Sequence, residues 1–343
     1  MGMKLVSPLV LCALLVPGVL RAADTPPQAL LVLSKSENTL AIVDPSTLKV
    51  VARVPIGSDP HEVIASSDGK FAYVSNYGGG AFSTLAVVDL AGQKALPPIE
   101  LGALRGPHGL AFVGGKVWFT AEAADAIGRY DPATSKIDWI LGTGQKRTHM
   151  IFVSNDSSRI VTSNVSSGTM SIIVKSAGRG SGRVPGPGGP PQGDWDQIVI
   201  GVGRGPEGFD VSPDGREIWV ANAQDGTVSI IDFADKRLIK TFDAGVVGAN
   251  RLKFTPDGKR VFISTLRGSD LAIIDSATRT DVMRLSIGTG AAGILMQPDG
   301  SRAYVACTPD NYVTVIDLKS LEVTNRLEAG KQPDGLAWAV RRR

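Results

Sequence analysis

The stretch Glu217-Ile218-Trp219-Val220-Ala221-Asn222-Ala223-Gln224-Asp225-Gly226-Thr227-Val228-Ser229-Ile230-Ile231-Asp232 decides the fold. Two apolar runs, Ile218 to Asn222 and Thr227 to Asp232, flank a polar Gln224-Asp225-Gly226 turn. Apolar alternation between turn residues is how half-buried strands read. A third strand follows at Arg237 to Phe242. Gly245 opens a loop, and a fourth strand, Arg251 to Phe254, runs into Thr255-Pro256-Asp257-Gly258-Lys259.

The unit recurs on both sides of this stretch. Its first strand begins at Leu30, Phe71, Val117, Ile160, Ile218, Val261 and Ala303. Its second ends at Asp44, Asp89, Asp131, Val174, Asp232, Asp275 and Asp317, and its fourth begins at Pro60, Pro107, Thr148, Pro206, Ala249, Ala291 and Pro333. The recurring Asp has a reason: its carboxylate accepts a backbone N–H two residues on and closes the next turn. Seven units of four strands, about 42 residues apart, predict an all-β fold, a seven-bladed β-propeller of four-stranded blades. The first unit opens on a first strand, and the last fourth strand is Pro333 to Ala339. The ring is therefore expected to close by pairing the N- and C-terminal strands in one blade, so that neither edge is left free.

Tyr73-Val74-Ser75-Asn76, Trp219-Val220-Ala221-Asn222, Tyr304-Val305-Ala306-Cys307, the Val-Ile-Asp strand ends and the Ser/Thr-Pro-Asp-Gly turns resemble the YVTN repeat family of bacterial exported β-propellers, also called YncE-like. The resemblance covers nearly all of the chain after its first residues. It implies the propeller fold, with the fourth strand of each unit innermost around a central channel.

The chain has 343 residues, 43% hydrophobic and 20% charged, with 36 basic against 33 acidic side chains. That near balance argues against a nucleic-acid partner, which calls for a basic excess. Two cysteines exclude a disulfide scaffold. Residues 1–23 read as a secretory signal: Lys4, an apolar stretch from Leu5 to Leu20, and small residues at Ala22-Ala23. Two prolines interrupt the stretch, which is too short and broken for a membrane anchor. The remainder divides into a short linker at 24–28, the propeller at 29–340 and a basic tail at 341–343. A periplasmic or secreted, monomeric protein with no transmembrane segment is expected. Loss of Cys12 with the signal leaves Cys307 as the sole thiol, in a strand pattern that suits a small buried hydrophobe. Within the propeller, 175–194 is a Gly/Pro insert between second and third strands, too poor in apolar residues to pack. It is expected on the face opposite the site.

A ring of like units carries function where the units differ. The three histidines, His61, His108 and His149, each follow the residue that opens an innermost strand. The remaining units place Glu207, Asn250, Ala292 and Asp334 there. The channel mouth thus gathers imidazoles, carboxylates and an amide, a set that can bind a metal, bind an organic ligand, or simply cap strand ends. His61, His108 and His149 as metal ligands suit Zn or Cu. Lys146 and Arg147 put positive charge beside His149, which predicts a depressed imidazolium and a preference for an anion. Arg105, Arg204 and Arg251 stand near other strand starts. Asn76-Tyr77-Gly78-Gly79-Gly80-Ala81-Phe82-Ser83 is a long turn on the same face, expected to fold Tyr77 and Phe82 over the channel.

The Asn-Tyr-Gly-Gly-Gly stretch, with Pro107-His108 and Arg147-Thr148-His149-Met150, also resembles the 6-phosphogluconolactonase-like lactonases, which are seven-bladed too. That resemblance implies a hydrolase acting on a small anionic lactone. His149 or His108 would handle protons, Glu207 activate water and Arg251 hold a carboxylate. No Walker loop, Cys-x-x-Cys-His or Gly-x-Ser-x-Gly motif is present. Three functions follow: a propeller binding a small molecule, metal or protein partner at the channel face, a lactonase-like hydrolase, and a metal-dependent periplasmic redox accessory protein. The first takes His61, His108, His149, Glu207, Asn250, Asp334, Tyr77 and Arg147 as binding residues.

Overall fold

The computed structural model describes residues 24–176 and 195–341. The expected signal at 1–23, nearly all of the insert at 175–194 and the end of the tail at 341–343 lie outside the described residues. Seven four-stranded antiparallel sheets form a seven-bladed β-propeller. We number the blades by chain order from the one holding Gln28–Ser34. Six inner strands begin their blades: Pro60–Ala65, Pro107–Val113, Thr148–Val153, Pro206–Val211, Ala249–Phe254 and Ala291–Met296. The seventh, Pro333–Val340, pairs antiparallel with Gln28–Ser34, placing Trp338 opposite Leu30 and Leu336 opposite Val32. The first blade is thus built from both ends of the propeller sequence, as the strand phase predicts.

The closing blade is clasped from outside. Arg341 donates its backbone N–H to Pro27 O at 2.8 Å and its guanidinium to Thr25 O. The Thr25 hydroxyl, buried, donates to Leu90 O at 2.5 Å. The 24–28 stretch is therefore anchored on the ring.

Burial differs from the alternation read in the sequence. The first and second strands of each unit are buried on both faces, as in Thr227–Asp232 and Glu217–Asn222. Every blade is sandwiched between two others, so those strands become continuous Val/Ile/Leu/Ala runs, as in other doubly covered sheets. The outermost strands are solvated on at least one face, Arg237–Asp243 almost throughout. Core clusters lie between blades. One joins Leu31 and Ile42 to Val74 and Val88, and another joins Trp118 and Ile127 to Ile151 and Ile160. All six turn aspartates accept the expected backbone N–H, for instance Ser46 onto Asp44 at 2.9 Å and Lys319 onto Asp317 at 2.9 Å.

Candidate functional site

Each inner strand slips register where it starts, between Pro60 and Val63, Pro107 and Leu110, Thr148 and Ile151, and at the matching points of the other blades. Such a bulge re-aims a side chain out of the ladder. His61, His108, His149, Glu207, Asn250, Ala292 and Asp334, all at the slip, line one cavity of about 260 Å³. The slip also frees the next N–H, which a hydroxyl on the neighbouring strand accepts: Ser75 from Glu62 at 3.0 Å, Thr120 from Gly109 at 2.9 Å, Ser163 from Met150 at 3.2 Å and Ser264 from Arg251 at 3.1 Å. Three of these hydroxyls then donate to the slipped residue of the next blade, Thr120 to His149 O at 2.5 Å, Ser163 to Glu207 O at 2.9 Å and Ser264 to Ala292 O at 2.7 Å. The channel residues of adjacent blades are thereby tied to one another.

The three imidazoles form a row. Ring centroids are 5.2 Å apart for His61 and His108 and 3.8 Å for His108 and His149. Tyr77 stands against the row, 4.8 Å from His61 and 5.4 Å from His108. Burial, then the charge of Glu122, pushes its phenol up to about 12. The turn that carries it forms a short 3-10 segment in which Gly79 takes φ 60°, the left-handed region that glycine favours. Phe82 does not cover the channel as expected. It is 41% exposed and lines a groove of about 570 Å³ between the first and second blades, which holds no titratable side chain.

His149 lies between two carboxylates. Its Nδ1 is 3.4 Å from Glu122 Oε2 and its Nε2 is 3.0 Å from Glu207 Oε1. The second contact is close but poorly aligned, and Nε2 makes no hydrogen bond. Burial works to lower the His149 pKa, but Glu207 and Glu122 outweigh it and hold the ring at about 9. This reverses the depressed imidazolium read from Lys146 and Arg147. Arg147 Nε is spent on Glu122 Oε1, and the Lys146 ammonium lies 2.5 Å from Asp125. Glu122 works against its own burial to stay near 2, because His149 and Arg147 surround it. His108 behaves oppositely: burial, then the neighbouring positive charges, push it well below the ordinary histidine value. Its Nδ1 is buried without a partner.

His61 belongs to a different group. Its Nδ1 is 3.0 Å from Asp334 Oδ2, and the Lys35 ammonium stands 2.7 Å from the same nitrogen. Lys35 is also 3.4 Å from Asp334 and 3.5 Å from Asp59. Among the described residues, the side chains whose ligand atoms converge are His108, Glu122 and His149, all within 4.8 Å of one another. This group shares His108 and His149 with the expected trio and has Glu122 where the trio has His61. Arg251 spends its guanidinium on Glu62 and, at 3.0 and 3.1 Å, on the backbone and side-chain oxygens of Asn250. Arg204 pairs with Asp225 at 2.6 Å, and Cys307 is free and buried.

Three residues at or beneath the mouth escaped the sequence reading: Lys35, Glu122 and Glu62. Lys35 and Glu122 share one register position, the residue after the first strand, where the other units carry Tyr77, Val165, Ala223, Leu266 and Thr308. Charges there among mostly uncharged residues were the available signal.

No family model matches the chain, and no curated protein matches it in sequence. Among the described residues no helix is long and apolar enough to cross a membrane. Among solved structures, a putative 6-phosphogluconolactonase from Bacteroides uniformis is 16% identical with a TM-score of 0.70, over 91% of this chain and 99% of that one. Kuenenia stuttgartiensis hydrazine synthase is 18% identical with a TM-score of 0.65, over 81% of this chain and 89% of that one. Dihydro-heme d1 dehydrogenase NirN in complex with DHE is 15% identical with a TM-score of 0.63, over 94% of this chain and 77% of that one. At these identities the likeness is one of β-propeller fold.

Proposed function

We propose that this chain is an exported propeller of the YVTN type that binds a small polar ligand at its channel mouth. His61, His108, His149, Glu207, Asn250, Asp334, Tyr77 and Arg147 are the contacting residues. The observation that carries this reading is the cavity itself: it is lined by the residues at which the repeats differ, with Glu62 and Arg251 paired beneath it. A polar pocket with convergent titratable groups is the usual form of a ligand site. The interrupted apolar stretch Leu5 to Leu20 supports export to the periplasm or medium. Binding without turnover is favoured over lactone hydrolysis because Arg251, the carboxylate holder of that chemistry, is already occupied by Glu62.

Thermal melting of the untagged, chelator-treated protein tests the reading. Zn, Cu and Co salts and acetate, citrate and gluconate are the probes, on wild type and His149→Ala. At least one probe is expected to raise the wild-type melting temperature and to leave the variant's unchanged. No shift from any of them overturns the reading.

A further inference from the structure

We infer that the inner half of the mouth is a transition-metal site, with His108, Glu122 and His149 as ligands, Glu207 orienting His149, and His61 outside the coordination sphere. This rests on the reading that the mouth binds a small polar ligand and adds a metal ion at its inner end.

The first support is placement. The ligand atoms of His108, Glu122 and His149 already lie within 4.8 Å of one another and all three side chains are buried. Ligands at about 2.1 Å from one ion stand about 3.4 Å apart in a tetrahedron, so closing on a metal requires side-chain shifts of about 1 Å. The second support is independent of distance. His108 Nδ1 is a buried nitrogen with no hydrogen-bond partner. Buried polar atoms are nearly always paired, and an orphan calls for a missing partner. An orphan on an imidazole whose ring centroid is 3.8 Å from that of His149, with the Glu122 carboxylate in the same cluster, calls for a cation.

The surroundings assign each atom a role. Arg147 takes Glu122 Oε1 and leaves Oε2, the oxygen facing His149 Nδ1, as a single ligand atom. Glu207 stands 3.0 Å from the other nitrogen of His149. A small turn of the ring aligns that contact, and a carboxylate accepting the far N–H of a ligating imidazole fixes its tautomer and orientation. His61 is held apart by Asp334, and the Lys35 ammonium beside it excludes a second cation. Two imidazoles and one carboxylate suit Zn, Co or Cu, not the all-oxygen preference of Mg or Ca. Three protein ligands leave a coordination position for water or a small molecule arriving through the mouth.

The test is a Co titration of the untagged, chelator-stripped protein, followed by visible absorption, with Zn affinity measured by competition. One equivalent is expected, with the absorption of a nitrogen–oxygen site. Glu122→Gln, His108→Gln and His149→Gln are each expected to weaken Zn by at least about 100-fold, and Glu207→Gln by about 10- to 100-fold. His61→Ala should weaken Zn much less than any of the three ligand changes, and Arg204→Ala, at an exposed pair with Asp225, should keep the wild-type affinity. Melting of each metal-free variant shows that it is folded, so a lost affinity reports on the site. The inference is overturned if His61→Ala weakens Zn as much as His149→Gln, or if Glu122→Gln binds like wild type. It is also overturned if neither Zn nor Co binds while an organic anion still shifts the melting temperature, which leaves the mouth reading standing. If no probe binds at all, both fall.

Discussion

Glu62, on the inner strand of the second blade, accepts a hydrogen bond from Arg251 on the inner strand of the sixth, across the channel. Their side chains are 15% and 7% exposed. The same register position holds Gly109, Gly208, Gly293 and Gly335 in four other blades, where an added Cβ meets the next inner strand's backbone at 2.7, 2.5, 2.3 and 2.5 Å. The ring is narrow there, and these two long side chains close it beneath the histidines.

Breaking that pair from one side leaves a buried charge without its partner. Glu62→Gln or Arg251→Met alone is expected to cost about 3–5 kcal/mol. Replacing both with apolar residues of similar volume should cost much less than the two single changes together. Urea unfolding of the four proteins as a double-mutant cycle measures this, and additive losses would show that the two groups do not interact.

The close approach of inner strands makes a sharp contrast among glycines. Gly208→Ala is expected to destabilise by about 1–3 kcal/mol through overpacking. Gly201→Ala, with nothing within 4 Å of the new methyl and no positive φ, should be neutral or stabilise by about 0.4–1 kcal/mol. Chemical denaturation of the pair checks both signs.

Thr120 serves two blades, accepting from Gly109 and donating to His149. Thr120→Val leaves both backbone groups unsatisfied and is expected to cost about 1–3 kcal/mol. Because it also releases the His149 backbone, Zn affinity should fall with it. Calorimetric melting together with Zn competition would reveal a variant that loses stability and keeps affinity, which is the result that contradicts this coupling.

Acid should loosen the opposite face of five blades by degrees. Asp68, Asp156, Asp214, Asp257 and Asp299 each accept from a nearby Ser or Thr hydroxyl, and those bonds hold their carboxyls below the ordinary value, Asp156 at about 2. A carboxyl lowered in the folded state contributes its stability above the unfolded pKa and loses it as pH falls through the folded one. The melting temperature is therefore expected to hold above about pH 5 and to decline from about pH 4 to 2. A rise over that interval would mean that other groups dominate acid stability.

The insert has a ladder that is complete without it. Lys175 already pairs with Trp195. Replacing residues 177–194 by a short Gly-containing turn should change stability by less than about 1 kcal/mol, since loop length enters only logarithmically. A larger loss on shortening would show that the segment packs.

The ring was legible because each repeat signals itself locally, by Asp at a turn or Pro at a strand start. The channel histidines were legible for the same reason, as departures at one register position. What stayed hidden needed the ring's diameter. Glu62 and Arg251 share a register position in distant units, and no local spacing says that the channel is narrow enough for them to meet. Likewise the positive charge beside His149 was read from its sequence neighbours, whereas Glu122, which reverses its effect, arrives from the preceding blade.

Gln28–Ser34 obtains its inner partner only from Pro333–Val340. During synthesis the sheet begun first is therefore the last to be completed, and its open side waits for the final strand. Non-local pairing of this kind folds slowly and exposes an edge meanwhile. Such a chain benefits from being kept unfolded until it is whole. A circular permutant that joins the present ends and opens the chain at a turn between blades should carry the same ring with a different order of assembly, separating the geometry of closure from its timing.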